Sequence, residues 1–315
     1  MRFTKLGVLL TAGALLATAC SSGAPSPAGS TARPKLVIAV QPTNTPEQLA
    51  SEAKELTQFL SEKTGAEVEI RFPTTFAGVI ESLRFGHADA AFVSAWPAAL
   101  AVKRASAELV LAEIREVVID DKKVEEPSYY SYWIVRKDSP YQTMQELKGK
   151  KAAVPSPLST SGYVAPIGRL VELGLITPAQ GKEADPKQFF SEVFFAGGYA
   201  QAWEALKSGQ VDVAVIAGDI SESLYRDVLA ATKVLEKQGP IPSHAVVFSK
   251  DLQEPMRSKL KDAMLALGAP ENRPLMRKFI SGIFVSFKST TSEQHLSGLN
   301  KYLALTNFQF TESLR

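Results

Sequence analysis

Residues 81–92, ESLRFGHADAAF, and residues 204–215, EALKSGQVDVAV, share one pattern, which predicts the same turn from a helix into a strand at two places. We call this turn the corner. In each stretch the end of a helix is followed by a glycine, two further residues, an aspartate and an apolar strand. Gly86 and Gly209 are predicted to take the positive φ that ends many helices. This repeat predicts two lobes with the same α/β plan, and the alternative is a chance similarity between two copies of a common motif.

Strands and helices alternate on both sides of each corner. Continuous apolar runs predict buried strands, and apolar residues at helical spacing predict helices between them. This alternation predicts parallel sheets with right-handed crossovers. The predicted strands are 35–40, 66–72, 90–93, 129–137, 151–154, 213–217 and 245–249, and the predicted helices include 77–84, 163–173, 254–267, 273–281 and 292–305.

Two segments are predicted to carry the chain between the lobes. Residues 129–137, YYSYWIVRK, are β-branched and aromatic, and residues 234–243 contain a glycine and two prolines that would return the chain. These crossings assign residues 35–130 and 240–315 to lobe 1 and residues 131–239 to lobe 2. Ligands of open α/β sheets bind beyond the carboxyl ends of the strands, so a ligand cleft is expected between the lobes.

The first twenty residues have the pattern of an export signal. Arg2 and Lys5 precede an apolar run that is too short to span a bilayer comfortably. Small residues then precede Cys20, an order that resembles the bacterial lipoprotein signal, in which the cysteine is lipidated; the alternative is an ordinary signal with a chance cysteine. Residues 1–19 are predicted to be a signal peptide, and residues 20–34 a lipidated cysteine with a flexible Ser, Gly, Ala and Pro linker.

Composition excludes several classes of protein. The chain has 315 residues, 45% hydrophobic and 22% charged, which is ordinary globular composition. Its net charge of +2 and the absence of a basic run argue against nucleic-acid binding. One cysteine and three widely separated histidines (His87, His244 and His295) offer no metal site, and no nucleophile–base pair is evident. We therefore expect neither a cofactor nor catalysis.

The chemistry of the chain is concentrated in residues 155–163, PSPLSTSGY, directly after a predicted strand. Ser159, Thr160, Ser161 and Gly162 lie at the start of the next helix, where unpaired backbone N–H groups and the helix dipole favour an anion. Ordinary helix capping, the alternative, needs one hydroxyl residue rather than three and a glycine. This stretch is therefore predicted to bind an oxyanion.

Residues 159–166 also match a Ser-Thr-Ser-Gly-aromatic-x-x-Pro motif of a known family. Residues 147–150 resemble the Asp-Leu-Lys-Gly-Lys stretch of the same family, with Glu146 in place of the aspartate, and residues 209–212 and 239–242 also fit it. Over roughly residues 36–270 the chain resembles the phosphate, phosphite and phosphonate-binding proteins of ABC importers. The resemblance implies a type II periplasmic-binding fold: two α/β lobes, each a mainly parallel sheet flanked by helices. It further implies an extracytoplasmic, lipid-anchored monomer that captures a phosphorus oxyanion by hinge closure and delivers it to permease and ATPase subunits.

The sequence departs from the family pattern at two places. Gly197-Gly198-Tyr199 stands where the family commonly has Gly-Ser-His, and residues 94–98 lack a family tyrosine. The ligand therefore stays open, including another small organic anion, and ligand sensing for a receptor is the alternative to transport.

Six further residues are predicted to line the cleft, and for all of them except Tyr130 core packing or helix capping is the alternative. Among them, the carboxyl group of Asp219 could accept a ligand P–OH proton or pair with a ligand amine. The six residues are Thr45, Phe76, Trp96, Tyr130, Tyr199 and Asp219.

Overall fold

The computed structural model describes residues 33–41, 50–120, 122–220, 222–279 and 282–309. Thr45, Cys20 and the predicted signal peptide lie outside the described residues. Within the described ranges, no helix is both long and apolar enough to cross a bilayer.

The strands and helices are numbered in chain order. The strands are β1 (Lys35–Val40), β2 (Glu67–Arg71), β3 (Ala90–Val93), β4 (Glu108–Ile119), β5 (Lys122–Glu126), β6 (Ser128–Arg136), β7 (Lys151–Val154), β8 (Glu192–Phe195), β9 (Val213–Ala217), β10 (Thr232–Pro242), β11 (Ala245–Phe248) and β12 (Phe284–Ser289). The helices are α1 (Lys54–Thr64), α2 (Phe76–Arg84), α3 (Ala95–Ala105), α4 (Ala165–Glu172), α5 (Tyr199–Lys207), α6 (Glu222–Ala231), α7 (Met256–Ala266), α8 (Arg273–Phe279), α9 (Ser292–His295) and α10 (Ser297–Thr306).

The strands form two sheets. The first sheet has the order β12-β4-β11-β3-β1-β2, with β5 paired to β4, and the second has the order β10-β6-β9-β7-β8. Only β1 with β2 and β3, and β7 with β8 and β9, pair in parallel. The described sheets are therefore mixed rather than mainly parallel, because all other strand pairs in them are antiparallel.

The repeated corner is confirmed in atomic detail. Gly86 and Gly209 have φ of 69° and 76°. The Asp89 carboxylate accepts a hydrogen bond of 2.8 Å from the backbone N–H of Val37 in β1. The Asp212 carboxylate likewise accepts one of 3.0 Å from the N–H at the start of β7. Each aspartate thus fixes the register of a parallel strand pair, so the carboxyl ends of both strands lie at one edge of their sheet.

Several segments differ from the prediction. The stretch predicted to return the chain at 234–243 is a strand, β10, which pairs antiparallel along β6 with two register shifts. The predicted helix at 292–305 is divided into α9 and α10 at Leu296, and β4, β5, β8 and β12 were not predicted.

Helix α10 follows β12 of the first sheet but packs against α4 and β10 of the second sheet. The hydroxyl of Tyr302 in α10 accepts a hydrogen bond of 2.8 Å from the N–H of Gly239. Beyond α10, the ring of Phe308 stacks on Tyr163, with centroids 5.3 Å apart. Residues 297–306, predicted in lobe 1, therefore contact elements of the second sheet and also share a hydrophobic core with residues of α2 and α3.

Contact between α4 and α10 depends on Gly168, where a Cβ would lie 2.5 Å from Cδ1 of Tyr302. We expect Gly168→Ala to lower the free energy of unfolding by about 1–2 kcal/mol, because overpacking outweighs the gain in helix propensity. Urea denaturation would measure the change. Unchanged or increased stability would contradict the close packing of α10 on α4.

Candidate functional site

The predicted anion-binding loop follows β7 and leads into α4. A wide helical turn, Thr160–Val164, precedes the α-helix, so the helical segment begins before the predicted Tyr163. The Ser159 side chain accepts from the N–H of Gly162 at 2.9 Å. The backbone N–H groups of Thr160 and Ser161 have no acceptor among the described residues. Two donors at the amino end of a helical segment are thus available to an anion.

Gly162 is required by the shape of this loop. A Cβ at this position would lie 2.6 Å from Cγ of Pro155 and 2.8 Å from Oγ of Ser159. The loop therefore closes on itself only where residue 162 has no side chain.

Three buried hydroxyl groups meet beside the loop. The Oγ atom of Ser161 lies 2.7 Å from the hydroxyl of Tyr199, the first residue of α5. The hydroxyl of Tyr129, in β6, donates to the same Oγ at 3.0 Å. Burial raises the pKa of both phenols well above their usual range. Both tyrosines thus keep their protons at physiological pH and serve as hydrogen-bond donors.

The first sheet contributes a helix N-terminus to the same place. The backbone N–H of Trp96, near the start of α3, donates to Oγ1 of Thr160 at 3.1 Å. The Trp96 side chain is buried in the core and lies near α10, where it lines a space with Leu303 and Phe308. Trp96 therefore reaches the loop through its backbone rather than through its ring.

A buried charged cluster adjoins the hydroxyl groups. The Nε atom of Arg115 donates to Glu113 at 2.7 Å, and its Nη1 atom donates to Asp219 at 2.8 Å. The Arg115 guanidinium also contacts His244. Burial raises the pKa of Asp219, whereas the charge of Arg115 acts in the opposite direction. The negative charge of Asp219 in turn helps to raise the pKa of both Tyr129 and Tyr199, so the charged cluster lies beside the hydroxyl groups.

Sequence reasoning did not identify Arg115, Glu113 or His244. Both Glu113 and Arg115 lie in β4, ELVLAEIREVVI, where they are buried whereas the other two charged residues, Glu108 and Glu116, are not. Residues two apart in a strand face the same side, so Glu-x-Arg in a buried strand indicates a buried ion pair. That pattern could have predicted the pair, although not its position beside Ser161.

The structure brings together most of the predicted site residues. Ser159, Thr160, Ser161, Gly162 and Tyr199 form the loop and hydroxyl cluster, and the charge of Asp219 acts on Tyr199 from beside it.

Two predicted residues lie elsewhere among the described ones. Tyr130 faces away from the loop, and the Lys237 ammonium group lies 4.1 Å from its ring centroid. Alternation along β6 presents the neighbouring Tyr129 to Ser161 instead. Phe76 is half-buried at the start of α2, and the contacts that join the site do not include it.

A family model described as "ABC transporter, phosphonate, periplasmic substrate-binding protein" matches residues 38–294. The phosphate-import protein PhnD of Mycolicibacterium smegmatis is 31% identical over 203 residues, covering 63% of this chain and 60% of the relative. The phosphonates-binding periplasmic protein of Escherichia coli is 28% identical over 229 residues, covering 70% of this chain and 63% of the relative. The match thus spans about three fifths of the length of these curated relatives.

Solved structures show the same fold. A binding protein component of an ABC phosphonate transporter from Pseudomonas aeruginosa has a TM-score of 0.65 and 23% identity, and 87% of each chain is covered. PhnD1 from Prochlorococcus marinus, in complex with methylphosphonate, has a TM-score of 0.64 and 16% identity over 87% of this chain and 98% of PhnD1. These likenesses confirm the type II periplasmic-binding fold.

Proposed function

This chain belongs to the family of periplasmic substrate-binding proteins of phosphonate ABC transporters, and from that premise we propose that it binds a small phosphorus oxyanion for an ABC importer. Phosphate, phosphite and phosphonates share the tetrahedral oxyanion on which the proposal rests. The observation that carries it is the buried cluster of hydroxyl groups around Ser161, at the amino end of a helical segment. Binding rather than turnover is the proposed activity.

The donors of the site match an oxyanion. Free N–H groups at Thr160 and Ser161, the Ser161 hydroxyl and the phenols of Tyr129 and Tyr199 can all donate to ligand oxygens. In the structure both phenols form hydrogen bonds with Oγ of Ser161. An oxyanion bound beside Ser161 would accept hydrogen bonds from the two phenols in place of this Oγ atom. Hydrogen bonds to a charged acceptor in a buried site are about twice as strong as neutral ones.

Contacts between the two sheets support capture by hinge closure. The Trp96–Thr160 hydrogen bond and the Arg115–Asp219 ion pair each join an element of the first sheet to one of the second. In the proposed cycle, lobe movement opens these contacts, the anion enters, and the closed form delivers it to the permease and ATPase subunits.

The proposed setting is extracytoplasmic. Residues 1–19 would direct export, and lipidated Cys20 with its linker would hold a monomeric carrier at the membrane. Mass spectrometry of the membrane fraction would detect the lipid on Cys20. If Cys20 carries no lipid, the proposed membrane anchor is wrong, whereas export by residues 1–19 is unaffected.

The test of the site is calorimetry of the purified protein with phosphate, phosphite and methylphosphonate. Ser161→Ala should weaken binding by about 10-fold to 100-fold, because a hydrogen bond to a charged group contributes about 1.5–3 kcal/mol. Tyr199→Phe, which removes only a hydroxyl, should weaken binding in the same direction.

Ser82→Ala is the matched control, because Ser82 lies on α2 and its hydroxyl only donates to a carbonyl of its own helix. Unchanged affinity in Ser161→Ala would refute the proposed site. Binding of uncharged or cationic solutes alone would refute the proposed function.

A further inference from the structure

The charged cluster beside the hydroxyl groups does not balance its own charge. Glu113 and Asp219 contribute two carboxylates, and Arg115 contributes one guanidinium that bonds to both. The ion pairs described for these carboxylates are with Arg115 and with His244, whose Nδ1 atom lies 3.4 Å from Oε2 of Glu113. While the His244 ring is neutral, the cluster therefore holds one negative charge in excess.

This excess charge is buried. The Glu113 side chain is fully buried, and the Asp219 side chain is 12% exposed. The second oxygen of Glu113, Oε1, has no hydrogen-bond partner among the described residues. Burial raises the pKa of both carboxyl groups, because an incompletely paired carboxylate is costly away from water. Binding of one proton, shared by Glu113 and the adjacent His244, would remove the excess charge.

Asp219 lies close to the proposed anion site because of the pairing between β6 and β9. The N–H of Gly218 donates to the carbonyl of Tyr130 at 2.8 Å, which extends the antiparallel pairing of these strands beyond β9. The next residues along the two strands, Tyr129 and Asp219, therefore lie side by side. The hydroxyl of Tyr129 is in turn 3.0 Å from Oγ of Ser161. The excess charge is thus next to the hydroxyl groups that would hold the oxyanion.

An oxyanion at Ser161 would add a second negative charge close to the cluster. The charge of Asp219 already acts on the phenols of Tyr129 and Tyr199, the two groups that bond to Ser161. A bound anion would act on the carboxyl groups of the cluster over a similar distance, and burial limits the screening by water. A like charge nearby favours the protonated form of a carboxyl group. Binding of the anion therefore favours binding of a proton.

We propose that binding of the oxyanion is coupled to the uptake of one proton by this charged cluster. The proton comes from the solvent, and it cancels the excess negative charge that would otherwise oppose the anion. The coupling is reciprocal, so acidification strengthens the binding of a given ionic form of the ligand. The affinity rises by up to about tenfold per pH unit where a full proton is taken up. This inference rests on the proposed function.

Calorimetry of the full-length protein with methylphosphonate counts the protons. Titrations at one pH in two buffers with different heats of ionisation give the number of protons taken up on binding. The series runs from about pH 6 to about pH 9, where histidine and buried carboxyl groups titrate. Each variant is compared with the unaltered protein at the same pH, so that the titration of the free ligand is common to both.

Two variants remove the excess charge and keep one ion pair. Glu113→Gln leaves Arg115 paired with Asp219, and Asp219→Asn leaves it paired with Glu113. Each variant should take up fewer protons than the unaltered protein, by up to about one at the pH of the largest difference. At about pH 9, Glu113→Gln should also bind methylphosphonate about tenfold more tightly, because the unprotonated cluster no longer opposes the anion.

Glu116→Gln is the matched control. Glu116 lies in the same strand as Glu113, but its carboxylate pairs with Lys123 at 3.0 Å and with Arg277 at 3.2 Å, outside the cluster. This variant should take up as many protons as the unaltered protein. Urea denaturation confirms that all three variants fold before their proton uptake is compared.

The outcomes separate this inference from the proposed function. If Glu113→Gln or Asp219→Asn takes up as many protons as the unaltered protein at every pH, the inference is overturned. A proton held only between the ligand and Asp219 would give this result in Glu113→Gln. If phosphate, phosphite and methylphosphonate all fail to bind to the unaltered protein, the proposed function itself fails, and the coupling with it.

Discussion

Replacing Arg115 with methionine is expected to lower the free energy of unfolding by about 3–5 kcal/mol, the usual cost of removing one partner from a buried charge cluster. Glu113 and Asp219 would remain buried without the guanidinium that now bonds to both. Urea denaturation of the variant and the unaltered protein at pH 8 measures the difference.

The deficit should depend on pH in a defined direction. Burial raises the pKa of Glu113 and of Asp219 even with Arg115 present, and without it the rise is larger. A carboxyl group whose pKa is higher in the folded state than in the unfolded state loses stability as pH rises above the unfolded value of about 4. The deficit of Arg115→Met should therefore be larger at pH 8 than at pH 5.

Glu113→Gln/Arg115→Met is the matched control, because it removes one buried carboxylate together with the guanidinium. Its stability should exceed that of Arg115→Met alone. A deficit in Arg115→Met that is independent of pH, and that Glu113→Gln does not reduce, would show that lost packing rather than unpaired charge is the cause.

Gly162→Ala is expected to weaken binding of phosphate or methylphosphonate by about 100-fold, or about 2.7 kcal/mol. The added methyl group would lie within 3 Å of Pro155 and of Ser159, so the loop must move. That movement displaces the N–H groups of Thr160 and Ser161 from the hydroxyl cluster. Calorimetry gives the affinity, and urea denaturation should show a separate loss of about 1–3 kcal/mol from overpacking.

Gly282→Ala controls for the general effect of replacing glycine. A Cβ at Gly282 would meet no described atom within 4 Å, and its φ is outside the left-handed region. If Gly162→Ala keeps full affinity, the loop does not form the anion site.

Local signals predicted much of this fold and the hydroxyl-rich loop of the candidate site. The bounds of β1, β3, β7 and β9 agree with the prediction, because continuous apolar runs were flanked by clear turn residues. The repeated corner was predicted from Gly86 and Gly209, since few residues other than glycine readily take positive φ. The hydroxyl-rich loop was predicted because several donors next to a helix start are a local pattern.

What the sequence left open depends on contacts between distant residues. A shift of one residue along β6 exchanges Tyr129 for Tyr130 at the site, and nothing local fixes that choice. Arg115 and Asp219 are 104 positions apart, so their pairing follows only from the packing of β4 beside the end of β9. Too many strands were predicted to pair in parallel for the same reason. Strand β11 joins the first sheet, antiparallel to β3 and β4, only after the chain has formed the second sheet.

The late association of α10 with the second sheet has a consequence for biogenesis. The first sheet lacks β12 until residue 289 has been synthesised, and α4 lacks its cover until residue 306. A nascent chain therefore holds two incomplete halves through most of its translation, and contacts of long sequence separation make folding slow. For a family whose members work in the periplasm, late folding would be an advantage, because a chain has to be unfolded while it is threaded through a secretion channel.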